Sequence, residues 1–140
     1  MSSINITYFV HGTTTDNENN IATGWRAGTL SELGRNQAVK LGELTKDKKF
    51  DAVFCSDLKR AVDSAKLAFG SRFEIIKDKR LRECNFGTMT GSDWKRIEAM
   101  MIDYINKQFP NGESYKDVER RMREFLEEMT KKYDKIIEKF

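Results

Sequence analysis

The sequence predicts an α/β fold, a mostly parallel sheet with helices crossing between its strands. Three observations carry this. Short apolar runs rich in β-branched and aromatic residues, at 6–10, 50–56 and 73–76, alternate with amphipathic helical stretches. A strand–helix–strand order with connections of this length requires crossovers, and crossovers leave neighbouring strands parallel. Polar and charged residues gather just past the C-terminal ends of those runs, where open α/β sheets bind ligands.

Composition bounds the reading. The chain has 140 residues, the size of one domain with a real core, and we expect a single domain over 1–140. Charged residues make up 34% and hydrophobic residues 39%, which describes a globular chain with a highly charged surface. A net charge of +3 with both signs interspersed argues against a dedicated nucleic-acid binder. No apolar run approaches membrane-spanning length, and the N-terminus lacks a basic segment followed by an apolar one. Cys55 and Cys84 stand apart, without metal-ligand spacing. Reduced thiols and a cytoplasmic location are therefore expected.

The elements follow in order. Ile6-Thr7-Tyr8-Phe9-Val10 reads as a buried strand that delivers His11, the single histidine, to the tip of the sheet. Residues 15–28 read as a long polar loop. Ser31 is the natural N-cap of a helix whose apolar face runs through Ala38, Leu41 and Leu44. A second buried strand spans 50–56. Ser56 or Asp57 then caps a helix that carries Leu58, Ala61, Val62 and Ala65 and ends near Gly70. A short third strand covers 73–76. Residues 78–91 are irregular, with Gly87 and Gly91 as turn residues. A helix is predicted over 94–109, with Trp94, Ile97, Met101 and Ile105 on one face. Pro110-Asn111-Gly112 breaks the chain, and a last helix starts near Ser114.

Beyond the strand ends lie His11, Ser56, Arg60 and Glu83. Arg60 falls in the first turn or so of a helix, whose N-terminus favours anions. A neutral imidazole can act as a nucleophile, a guanidinium can clamp a phosphate, and a protonated carboxyl can supply a proton to a leaving group. Taken one at a time, each has a plainer reading. A lone histidine is more often an inert strand-end residue, Arg60 a surface residue of an amphipathic helix, and Glu83 a solvated carboxylate. Asn17 could be a turn residue, Thr13 and Thr14 turn caps, and Ser56 a helix N-cap. Cys84 is expected to be a buried, inert thiol.

The motifs are more specific together. Val10-His11-Gly12-Thr13-Thr14 is followed by Asn17 in register, then by Gly24-Trp25 and Leu30-Ser31-Glu32-Leu33-Gly34-Arg35-Asn36-Gln37-Ala38. Ser56-Asp57-Leu58-Lys59-Arg60-Ala61 comes next, then Leu81-Arg82-Glu83-Cys84-Asn85-Phe86-Gly87 with Gly91 beyond. Pro110-Asn111-Gly112-Glu113-Ser114 precedes Arg121. In this order and spacing the chain resembles the histidine phosphatase superfamily, the cofactor-dependent phosphoglycerate mutases and related phosphatases.

The resemblance implies a three-layer α/β/α phosphoglycerate mutase-like fold. It implies phosphomonoester hydrolysis through a phosphohistidine on His11, with Arg60 as the phosphoryl clamp and Glu83 as the proton donor. Gly12, Thr13, Asn17, Thr23, Gly24 and Ser56 are the implied phosphate contacts. The implied partner is a small phosphorylated substrate, with no metal and no organic cofactor. Phosphatase is favoured over mutase because mutases of the family carry longer lid segments. Two departures stand out. Val10 occupies the slot of the arginine that precedes the family's nucleophile, and the family's second histidine has no counterpart in the 140 residues. We therefore expect a domain incomplete at its C-terminus and inactive by itself, able to bind phosphorylated ligands without turnover. A rearranged sheet or an intermolecular contact, such as a homo-oligomer, is then expected to cover the free side of the first strand.

Overall fold

The computed structural model describes residues 3–137. Their helices are α1 (Thr15–Glu18), α2 (Glu32–Leu44), α3 (Lys59–Phe69), α4 (Trp94–Met100) and α5 (Tyr115–Ile137); the strands are β1 (Val53–Cys55) and β2 (Ile75–Lys77). Short 3₁₀ turns cover Lys79–Leu81, Gly87–Met89 and Met101–Tyr104. β1 and β2 pair in parallel, Val53 opposite Ile75 and Cys55 opposite Lys77, and α3 is the crossover between them. This is the parallel α/β arrangement the sequence predicts. Among the described residues, no helix is long and apolar enough to cross a membrane.

Local chemistry accounts for the boundaries. Ser31 caps α2 by accepting from the Gly34 N–H at 3.1 Å. At α5, the Ser114 hydroxyl accepts from the Asp117 N–H (3.1 Å) while the Asp117 carboxylate accepts from the Ser114 N–H (2.9 Å), a reciprocal cap. α3 ends at Gly70 as expected, but its N-cap is Leu58, with no side-chain cap. Ser56, buried, instead turns its hydroxyl to the Leu58 N–H at 3.4 Å, and Asp57 is taken up by Arg82. The cap thus lies one residue beyond Asp57 and two beyond Ser56, the residues the sequence suggested.

Three further expectations are corrected. The stretch 15–28 is not loop throughout, because Thr14 and Asn17 form a capping box that winds α1. The helix predicted over 94–109 stops at Met100 and tightens into the 3₁₀ turn. Most important, 6–10 is neither a paired nor a buried strand. Ile6, Tyr8 and Val10 are exposed, and among the described residues no ladder includes them. Period-two spacing describes what a strand would bury, but a ladder also needs a neighbour, and β1 has not closed up against this segment. Phe9, on the opposite side, anchors it against the rings of Phe50 and Phe69, with centroids 6.2 and 5.5 Å away.

One core cluster, Ala22, Cys84, Phe86, Ile97, Tyr104 and Phe109, lies beneath the loops that follow α1 and β2. Tyr104 stacks on Phe109 at 4.1 Å, and Phe109 meets Phe86 edge-on at 5.2 Å. These rings give the loops a rigid floor.

Candidate active site

His11 ends the first segment, and the turn behind it is fixed from two sides. The Gly12 N–H donates to the Ser64 hydroxyl at 2.9 Å, and that hydroxyl donates to the Arg60 carbonyl at 2.7 Å, so the turn rides on α3. On the other side Gly34 of α2 lies in backbone contact. A Cβ on Gly34 would fall 1.9 Å from the Thr13 carbonyl oxygen, so no side chain fits there. The His11 Nδ1 lies 2.7 Å from the Gly12 carbonyl. A carbonyl can only accept, so Nδ1 carries the proton, and in the neutral ring the lone pair is on Nε2.

Arg60 is the second residue of α3 and is 5% exposed. Its Nη1 donates to the Arg26 carbonyl and its Nη2 to the Gly24 carbonyl, each at 2.9 Å. Gly24 holds φ at +51°, which presents that carbonyl to the guanidinium. Burial pulls the Arg60 pKa below its usual value, while the charges of Glu83 and Asp16 oppose the shift. An arginine starts so high that it stays charged. Two of its five N–H groups are spent on backbone, and among the described residues the other three make no hydrogen bond.

Glu83 is clamped from three directions. Its carboxylate accepts from the Cys84 N–H at 2.8 Å. Its backbone carbonyl accepts from the Trp25 indole N–H at 2.8 Å and from Arg121 Nη2 at 3.0 Å. Arg121 is itself held by Glu113 through two 3.0 Å bonds, and Glu113 also accepts from the Asn85 N–H. Arg82, the preceding residue, bonds Asp57 twice at 2.6 Å and lies over the Trp25 ring at 4.7 Å. The general-acid candidate is thereby tied to the start of α3 and to α5.

His11, Arg60 and Glu83 line one cleft of about 210 Å³, together with Asn17, Asn20, Ile21, Thr23, Gly24, Phe86 and Trp94. Asn17 spends its amide oxygen on the Thr14 N–H (3.0 Å), and Thr23 donates to Asp16 at 3.0 Å. Of the nine residues picked from sequence, these six converge. The other three lie outside the lining. Gly12 is committed to Ser64, Thr13 to Gln37 through both its N–H and its hydroxyl, and Ser56 to the Leu58 turn. Asn20, Ile21, Phe86 and Trp94 were not anticipated as site residues. Phe86 sits inside the Glu83 motif, but nothing in the spacing announces the others. Among the described residues, no group of three or more His, Cys, Asp or Glu side chains is placed to hold a metal ion.

Residues 8–137 match the histidine phosphatase superfamily (branch 1). The chain is 31% identical to fructose-2,6-bisphosphatase TIGAR B of Danio rerio, across 92% of this chain and 54% of that protein. It is 30% identical to the 2,3-bisphosphoglycerate-dependent phosphoglycerate mutase of Bartonella henselae, across 80% and 61%. A solved mycobacterial glucosyl-3-phosphoglycerate phosphatase superposes with a TM-score of 0.73 at 32% identity, across 85% of this chain and 60% of that one. The chain thus spans little more than half the length of the curated relatives it matches. With a match over nearly its whole length and a phosphoglycerate mutase-like fold, the chain belongs to the histidine phosphatase superfamily, branch 1.

Proposed function

We propose that the cleft carries phosphomonoester chemistry through His11. Its Nε2 lone pair attacks phosphorus, the bond from phosphorus to the ester oxygen breaks, and Glu83 gives its proton to the leaving oxygen. Water then attacks the phosphohistidine, Glu83 takes the proton, and the P–N bond breaks to release phosphate. Arg60 holds the phosphoryl oxygens and neutralises charge as it develops. The observation that carries this reading is the convergence of the three side chains on one cleft, with Nδ1 of His11 fixed by the Gly12 carbonyl. The substrate is a small phosphorylated molecule, and hydrolysis is favoured over mutase transfer. The two free, buried thiols support a reducing, cytoplasmic setting.

Rapid quenching with a phosphomonoester tests it. Acid-labile phosphate trapped on His11 is the expected result, and undiminished turnover by His11→Ala overturns it.

One observation favours a second reading, phosphate binding without turnover by the 140-residue chain. Val10, in the slot of the family's arginine, is 74% exposed. Arg60 is therefore the one cation among the described lining residues. In that case inorganic phosphate shifts the His11 ring resonances while the chain shows no phosphatase activity.

A further inference from the structure

The cleft has two unlike ends, and Gly24 joins them. On one side the Gly24 carbonyl is held by Arg60, next to His11 and Glu83. On the other, a Cβ on Gly24 would lie 3.1 Å from the Phe86 ring, so the backbone there lies directly on an aromatic face. Beyond Phe86 the lining continues through Trp94 and Ile21.

This apolar end is built firmly. Asn20, at φ +56°, turns the chain out of α1 into a short antiparallel zipper with the residues that lead into α4. The Trp94 N–H donates to the Asn20 carbonyl at 2.7 Å, Ala22 N–H to Ser92 at 2.9 Å, and Gly91 N–H to Ala22 at 2.8 Å. Ile21 pairs with Asp93. The zipper fixes Ile21 and Trp94 as neighbours on one wall. Behind them Trp94 tilts against Phe86 at 6.3 Å, and Phe86, 1% exposed, rests on Phe109. Trp94 itself is half-buried, with part of its surface open to the cleft.

Charge points the same way. Among the described lining residues the charged side chains are Arg60 and Glu83, and Asn17 and Asn20 add neutral amides. With Arg60 committed to the phosphoryl group, a second phosphate or a carboxylate on the substrate would meet Glu83 and an apolar wall.

We infer that the substrate is a monophosphate of a small, uncharged alcohol with a flat apolar or aromatic body, which rests on Trp94 and Ile21. This rests on the phosphoryl-transfer reading above and names its substrate class. An aromatic ring on an aromatic platform gains an offset or edge contact beyond simple burial, whereas a bisphosphate or phosphorylated acid gains nothing there.

The test uses three probes that have no ester bond to break: inorganic phosphate, methylphosphonate and phenylphosphonate. Each is titrated while the His11 ring and Trp94 indole resonances are followed. All three should shift His11. Phenylphosphonate alone should also shift Trp94, and should bind about three- to tenfold more tightly than methylphosphonate, the range aromatic pairs supply. Trp94→Leu should erase that preference, with methylphosphonate still shifting the His11 resonances. Ile21→Ala should reduce it, which keeps the test sound if the Trp94 variant does not fold. Arg60→Ala should weaken all three probes. Equal affinity for the two phosphonates overturns the substrate class and leaves the phosphoryl reading intact. No response of His11 to any probe overturns both.

Discussion

The indole N–H of Trp25 donates to the backbone carbonyl of Glu83 across 2.8 Å. A tryptophan 58 positions earlier in the chain thus helps place the proposed general acid. Arg121 shares the same acceptor from the other side at 3.0 Å. Trp25→Phe removes one of two donors, and we expect a loss of about 1 kcal/mol. Arg121→Ala also strands the Glu113 carboxylate, which is 17% exposed, and should cost about 3 kcal/mol. Because the two residues share an acceptor, the double variant should deviate from additivity in urea unfolding.

Gly34→Ala should be among the most damaging single-methyl changes in the chain. The new Cβ would sit 1.9 Å from the Thr13 carbonyl oxygen, and its nearest neighbours are all Thr13 backbone, which leaves nothing flexible to move aside. A destabilisation of about 3 kcal/mol, at the upper end for overpacking, is expected, with the His11 ring resonances displaced. Leu33→Ala, at an exposed neighbouring position, should change stability by less than about 0.5 kcal/mol.

Arg60→Lys keeps the charge but loses the fork. One ammonium cannot span the Gly24 and Arg26 carbonyls as Nη2 and Nη1 do. Stability should fall by about 1–3 kcal/mol as a buried acceptor is left bare. Phosphate affinity should fall as well, read from the His11 resonances.

Acid should weaken the fold through three carboxylates. Ser114 hydrogen bonds hold the Asp117 pKa down at about 2, the Arg82 hydrogen bond lowers that of Asp57, and the Arg80 hydrogen bond lowers that of Asp78. Each is depressed in the folded state. Its contribution is therefore complete above the unfolded value of about 3.9 and is lost as the pH falls through the folded one. The thermal midpoint should drop between about pH 4 and pH 2. Ser114→Ala should lower the midpoint at neutral pH by uncapping the Asp117 N–H, yet leave most of that acid limb in place, because the Ser114 backbone N–H still donates to the Asp117 carboxylate.

Both thiols should resist modification in the native protein. Burial raises the Cys55 pKa and pushes Cys84 up to about 12, so the reactive thiolate is scarce. A thiol-specific chromogenic reagent should titrate neither residue rapidly under native conditions and both in denaturant. Fast labelling of Cys84 would mean that its cover opens readily.

What the sequence by itself determined is whatever depends on near neighbours. The Ser31 cap, the start of the last helix near Ser114, the Gly70 stop and the strand–helix–strand order around α3 follow from spacings of a few residues, as the structure bears out. The ordered motifs pointed to His11, Arg60 and Glu83 as one site, and the fold brings all three to one cleft. Tertiary structure decided the rest. Thr13, Gly12 and Ser56 carry suitable groups, but Gln37, Ser64 and the turn at Leu58 take them up. Ile21 and Trp94 enter the site because a zipper joins segments some seventy residues apart, a pairing that local periodicity does not encode. The first segment shows the same limit from the other side. Alternating apolar residues specify a strand face, yet the ladder that makes a strand requires a partner, and among the described residues Ile6, Tyr8 and Val10 have none.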